Sequence, residues 1–176
     1  MKKLLYLFAL TLFFTSCNQD EMSSEQLASE KNAIEDQIQK LLSGYSAKDI
    51  GAVKSVFSAS DELMVFGTDA REVFRSLSEW EEQLNNDFQL FESAKFGALQ
   101  NLSIQISKSG DLAVAFFEAP AEMIFEGQTY PSFFRSARTF IKENDSWLIV
   151  QSLSATASEG QSSAELVKQM EEAEID

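Results

Sequence analysis

Between Leu102 and Leu153 the apolar residues stop recurring at helical spacing and begin to alternate, and this change governs what the chain can fold into. Leu102, Ile104 and Ile106 alternate with polar residues up to Ser109-Gly110-Asp111, which has turn chemistry. Leu112 to Phe125 reads as one long strand, interrupted at Pro120, whose missing N–H predicts a bulge or an edge. Glu126-Gly127-Gln128-Thr129 fits a tight hairpin with Gly at a positive φ. Phe133 to Lys142 and Trp147 to Leu153 are the last two strands, joined through Glu143-Asn144-Asp145-Ser146. Strands linked by such short turns form an antiparallel meander.

Ahead of Phe96 the spacing is helical. Ser23-x-x-Gln26 has the form of a capping box, and Leu27, Ile34, Ile38, Leu41, Leu42 and Tyr45 mark an amphipathic helix over about 24–47. Gly44 inside it costs about 1 kcal/mol against Ala. Asp49 can cap a short second helix whose apolar face is Ile50, Val53 and Phe57. Leu63 to Phe66 reads as a strand closed by Gly67-Thr68-Asp69, with Val73-Phe74 as a short return strand. Ser78-x-x-Glu81 is a second capping-box pattern, and Trp80, Leu84, Phe88 and Phe91 place a third helix at about 79–92. Three helices followed by a meander make an α+β layout.

Composition removes several functions. The chain has no His, so the usual metal ligand and the usual general base near neutral pH are missing, along with every Ser-His or Cys-His pair. No metal and no cofactor are expected. A formal charge of −14 repels phosphate backbones, which argues against a nucleic-acid partner.

Met1-Lys2-Lys3 precedes Leu4 to Phe14, which is apolar except for Thr11. As a helix this run spans roughly 16 Å, against a bilayer core of about 30 Å, so it is too short to cross and fits a secretory signal. It ends in Phe14-Thr15-Ser16-Cys17, which resembles the bacterial lipoprotein signal, with Phe14 where Leu is usual. The resemblance implies lipidation of Cys17 and a membrane anchor, and Asn18 after the Cys implies the outer membrane of the cell envelope. The alternative is an ordinary signal peptide that leaves Cys17 as a thiol; with one Cys in the chain, an internal disulfide is excluded. The expected organisation is a signal peptide at 1–16, a tether at 17–24, a domain at 25–155, and a linker with a short acidic helix or tail at 156–176.

The order of elements, read with its residues, resembles the SnoaL-like branch of the nuclear transport factor 2-like superfamily. The likeness is carried by Leu41-Leu42-x-x-Tyr45, Lys48-Asp49-x-x-x-Val53-x-x-x-Phe57, Leu63-x-Val65-Phe66-Gly67-Thr68-Asp69 and Trp147-x-Ile149-Val150, and it covers about residues 30–155. It implies a cone in which a curved, mainly antiparallel sheet wraps three N-terminal helices. A cavity would lie at the open end, and the sheet would often serve as a dimer face. Members commonly follow the Trp-x-Ile stretch with two alternating His residues; Gln151 and Leu153 stand there instead, so a proton-transferring His is absent from this wall.

Turn positions predict which residues face inward. If Gly127-Gln128 are the central hairpin residues, Phe117 lies opposite Arg138; if Asn144-Asp145 are central in the next, Arg138 lies opposite Gln151. One face then carries Phe117, Met123, Phe125, Phe134, Arg138, Phe140, Trp147, Ile149, Gln151 and Leu153, and its bulk assigns it to the concave side. Arg138 and Gln151 become neighbours in an apolar wall. A buried Arg is answered by a protein carboxylate, by a ligand, or by reaching the rim. Arg's planar fork suits a carboxylate ligand, and the resemblance extends to kinase-association relatives that place an Arg at this spacing from Trp, facing their pocket. Tyr45, Trp80, Phe117 and Phe134 are the further cavity candidates, residue types that more often serve simply as core. Arg135, diagonal to Glu118 and Glu122, forms with them a Glu-Arg-Glu cluster that is either a carboxylate base beside a cation or a surface ion-pair network.

Three functions stay open: a membrane-anchored module binding a small, partly apolar ligand, an organic acid among them; an enzyme like the ketosteroid isomerases or polyketide cyclases, using Glu118, Glu122 or Asp69; and a structural protein dimerising through its convex sheet. An inward Asp or Glu near a Tyr favours the enzyme, and an open apolar pocket with Arg138 at its base favours the binder.

Overall fold

The Ser23 capping box is formed as its spacing requires: the hydroxyl accepts from the Gln26 amide at 3.2 Å and the Gln26 side chain accepts from the Ser23 amide at 2.9 Å. The computed structural model describes residues 22–157 and 162–173. The signal segment, Cys17, most of the tether and part of the linker lie outside the described residues.

Helix α1 runs Ser24–Ser46 and buries Ile34, Ile38 and Leu41. Gly44 sits where α1 meets α2 (Ile50–Lys54), which Asp49 caps: a Cβ at Gly44 would lie 3.1 Å from both the Ala52 Cβ and the Val53 nitrogen. The glycine that weakens the helix therefore lets the two helices touch. Strands β1 (Met64–Phe66) and β2 (Val73–Phe74) follow as a small hairpin, then α3 (Leu77–Leu90). The cap of α3 is Ser76, which accepts from the Glu79 amide at 3.2 Å, and not the expected Ser78. Starting there puts Leu77 against the core cluster as the first helical residue.

The remaining strands are β3 (Ser93–Phe96), β4 (Gln100–Ile106), β5 (Leu112–Phe125), β6 (Gln128–Glu143) and β7 (Ser146–Thr156). Their order is β2-β1-β7-β6-β5-β3, with β4 also on β5; every pair is antiparallel except β1 with β7. The α+β layout of helices against a mainly antiparallel, curved sheet is thus the one read from the sequence. Pro120 is not bulged, since it pairs in register with Phe133, but on its other side it falls in the gap between β3 and β4 and is a local edge, as its missing N–H requires. Its carbonyl accepts from the Gly97 amide at 2.8 Å, so its donor-less nitrogen points to the junction where β3 gives way to β4.

Two details of register decide the site. The β5–β6 turn is centred on Glu126-Gly127, with φ of 49° and 73°, and not on Gly127-Gln128. Pairing shifts by two residues, so Phe117 lies opposite Ser136 and Arg138 opposite Ala115, and every side chain keeps its face. The β6–β7 turn is centred on Asn144-Asp145 as expected, but a bulge follows: Phe140 pairs with Ile149 and Thr139 with Gln151, leaving Val150 as the extra residue. Beyond it the two faces of β7 exchange. Ser152 lies opposite Arg138, and Gln151 and Leu153 turn to the convex side.

The core joins Ile34, Ile38, Leu84, Phe140, Trp147 and Ile149 between the helices and the concave sheet. Glu30 ties the layers: one carboxylate oxygen accepts from the Lys142 ammonium at 2.5 Å and the other from the buried Trp147 indole at 2.6 Å. Those bonds hold its carboxyl below the usual range. The C-terminal segment forms a helix, α4 (Ser163–Ala173), capped by Ser162, with Leu166, Val167 and Met170 exposed.

Candidate ligand-binding site

At the open end of the cone the last turns of α1, the inner face of α3 and the concave strands enclose a cavity of about 310 Å³. Trp80, Gln83 and Asp87 lie on one face of α3 because three- and four-residue steps superpose on a helix. Tyr45, from α1, donates its hydroxyl to Asp87 Oδ2 at 2.6 Å, and the Gln83 amide donates to Asp87 Oδ1 at 2.7 Å. The Tyr45 ring packs edge-on to Phe88 at 5.1 Å and is stacked on Phe91 at 5.6 Å. Lys48 fixes the end of α3, donating to the Phe88 carbonyl at 3.0 Å and to the Phe91 carbonyl. This supplies the C-terminal cation that α3 lacks in its own last turn.

Burial pushes the Asp87 carboxyl above the usual range, the nearby Glu72 charge adds to this, and the bonds from Tyr45 and Gln83 oppose it. Burial, then the Asp87 charge, drives the Tyr45 hydroxyl well up, so Tyr45 remains a neutral donor. Glu72 stands at the mouth, where its Oε2 accepts from the Thr68 amide at 2.6 Å and the Asp69 amide at 3.0 Å. Position 67 takes glycine, since a Cβ there would sit 2.7 Å from the Glu72 Cβ as well as against that oxygen.

The opposite wall is the sheet. Arg138 is 7 % exposed, its guanidinium 5.7 Å from the Phe117 ring centre. Nη1 donates to the Leu153 carbonyl at 2.6 Å and the Ala137 carbonyl at 3.2 Å, and Nη2 donates to Ser154 Oγ at 3.0 Å. Nε has no partner. No carboxylate among the described residues pairs with this guanidinium, and burial alone pushes it down to about 10. Ser136, Ser152 and Ser154 complete a neutral polar patch around it.

Of the residues named from the sequence, Tyr45, Trp80, Phe117, Phe134 and Arg138 all line this cavity. Gln151 does not: the Val150 bulge sends it outward, where it accepts from Thr139 Oγ1 at 3.3 Å. Glu118 is directly opposite Arg135 on the convex side and accepts from it at 2.9 Å, while Glu122 pairs with Pro131 and stays out of the cluster. The bonds from Asn101 and Arg135 hold the Glu118 carboxyl down, which makes it a poor base. Among the described residues the carboxylates that reach the cavity are Asp87 and Glu72, neither of them picked out from the sequence. For Asp87 the signal was present: positions 83 and 87 fall on the stripe of α3 that carries Trp80, Leu84, Phe88 and Phe91. Ser152 and Ser154 were hidden by the bulge.

The SnoaL-like domain matches the chain over residues 34–158. No curated protein matches it. Among solved structures, a nuclear transport factor 2-like superfamily protein from Salmonella enterica serovar Typhimurium LT2 is 22% identical, covers 78% of this chain and 98% of its own, and superposes with a TM-score of 0.68. A hexachlorocyclohexane dehydrochlorinase from Novosphingobium barchaimii LL02 is 12% identical, over 77% of this chain and 92% of its own, at 0.67. A protein of this fold from Pseudomonas putida KT2440 is 17% identical, over 77% and 91%, at 0.62. These identities speak to fold alone. With the family match spanning most of the chain, and the cone, its cavity and its strand order in agreement, this chain belongs to the SnoaL-like domain family and has the nuclear transport factor 2-like fold.

Proposed function

We propose that the domain binds a small molecule that has an apolar body and a carboxylate, and that Arg138 is its anchor. One observation carries this reading: a buried guanidinium faces an apolar cavity with only neutral partners and an unused Nε–H. Desolvating such a charge costs several kcal/mol, roughly what a buried, hydrogen-bonded carboxylate would return. The test compares benzoate with benzamide, and hexanoate with hexanamide, by thermal shift of the protein. The acids are expected to raise Tm and the amides to do so far less; equal shifts for acid and amide would remove the reading.

A second reading rests on Asp87. An inward carboxylate raised by burial and bonded to Tyr45 is a proton acceptor of the kind isomerase or cyclase chemistry uses, and the dehydrochlorinase relative shows that the fold can house an enzyme. No His assists it. Solvent-deuterium incorporation into a bound ketone, lost in Asp87→Asn, would favour this reading over simple binding.

The chain is also proposed to be anchored in the cell envelope through Cys17, so that Cys17→Ser should move it from the membrane to the soluble fraction. The convex sheet is proposed as a homodimer face. On it Phe116 (55 % exposed), Ala137 and Leu153 (48 % exposed) form one apolar row across β5, β6 and β7. Phe116→Glu is expected to lower the sedimenting mass to that of a monomer; a wild-type monomer would remove the proposal.

A further inference from the structure

The cavity holds two charges of opposite sign that the fold keeps apart. Arg138, on β6, meets two carbonyls and a hydroxyl. Asp87, on α3, meets the Tyr45 hydroxyl and the Gln83 amide. Neither has an ion-pair partner among the described residues, although both line the same 310 Å³ space. The nearby cation Lys48 is committed to the Phe88 and Phe91 carbonyls. Phe117 and Phe134 line the same cavity and offer only ring surface for contact, while Trp80 adds ring surface and an indole N–H that has no partner.

A domain selected for stability alone would join such charges or replace them with apolar groups, because each pays its desolvation without an ionic return. Held on facing walls of one cavity, they have the layout of a receptor for a molecule that carries both counter-charges. We propose that the ligand is bipolar: its carboxylate lies on Arg138, its cationic amine lies on Asp87, and an apolar chain or ring joins them. This rests on the carboxylate reading above and extends it to the other end of the site.

An ammonium fits the acidic end better than a hydroxyl does. Asp87 already accepts from two neutral donors, and what it lacks is charge. Glu72, at the mouth, adds a second negative charge that acts on both Asp87 and Tyr45. The carboxylate oxygens each retain a lone pair after one bond, so a third donor can be accepted without displacing either partner. The same end repels a ligand with two carboxylates, so the site discriminates between amino acids and diacids of equal length.

The experiment is titration calorimetry on the protein with two matched pairs, 4-(aminomethyl)benzoate against 4-methylbenzoate and 6-aminohexanoate against hexanoate. In at least one pair the amino compound is expected to bind tenfold or more tightly than its neutral partner. In Asp87→Asn that advantage should vanish, the amino compound binding no more tightly than its neutral partner; an advantage kept in the variant overturns the role of Asp87. Circular dichroism of the variant confirms that it is folded, and Tyr45→Phe, which frees an Asp87 lone pair without removing the charge, should keep the preference for the amine. Equal or weaker binding of both amino compounds overturns the bipolar ligand and leaves the carboxylate anchor standing. Failure of all four acids overturns both.

Discussion

Arg138→Met is expected to lower affinity for benzoate and hexanoate by a hundredfold or more while leaving the ligand-free protein as stable as wild type, or more stable by up to about 3 kcal/mol. The two effects have one cause. Arg138 is buried without a counter-ion, and desolvation is the sole influence that brings it down to about 10, so in the empty protein its charge is a cost. Met fills a similar volume beside Phe117 and asks for no hydrogen bond. Against this, the Leu153 and Ala137 carbonyls and the Ser154 hydroxyl lose a charged donor, which limits the gain. Urea unfolding with and without acid separates the terms. A drop of more than about 2 kcal/mol in the empty variant would mean that Arg138 is a structural bracket across β6 and β7, and the anchor role would lose its physical basis.

How much of this was legible in the sequence depends on which physical signal each residue obeys. Side-chain face follows parity, so misplacing the Glu126-Gly127 turn moved the partners of Phe117 and Arg138 by two positions and left both on the concave side. The Val150 bulge is different in kind. Trp147-Leu148-Ile149-Val150-Gln151 is unbroken β-forming sequence, and the extra residue is set by what β7 must meet on both sides: β6 in antiparallel register and β1 in parallel, with Val65 opposite Ser152. No local residue announces that compromise, and it alone decides that serines rather than Gln151 and Leu153 line the wall. Strand β3 was missed for a related reason. Ser93–Phe96 has little alternation of its own and is held by pairing with the far end of β5, across the junction that Pro120 creates. Asp87 failed through interpretation. The apolar residues of α3 mark its inner stripe and a polar residue on it went unnamed, although Gln83 four residues earlier was a sign that the stripe is wet at that point.

Asp87→Asn is expected to stabilise the ligand-free protein at neutral pH by roughly 0.5–2 kcal/mol, and to lose that gain as the pH falls toward 3. A carboxyl held above its ordinary value keeps its proton more tightly folded than unfolded, so the stability it contributes is full below its unfolded value of 3.8 and is lost as pH rises through the folded one. Burial sets the rise, the bonds from Tyr45 on α1 and Gln83 on α3 oppose it, and the charge of Glu72 in the β1–β2 loop adds to it, with Lys48 nearby but occupied by carbonyls. Asn cannot ionise, yet its oxygen still accepts from Tyr45, and Gln83 can turn its amide to accept from the new NH₂. The difference between variant and wild type should therefore be near zero at pH 3, grow through the acidic range and level off by neutrality, when followed as Tm against pH. The same substitution removes the charge on which an amine would rest, so the gain in stability and the loss of selectivity for amino acids should appear together. A variant less stable than wild type at every pH would show that the Tyr45–Asp87 bond is a strut of the fold, and that its charge was never held in reserve for a ligand.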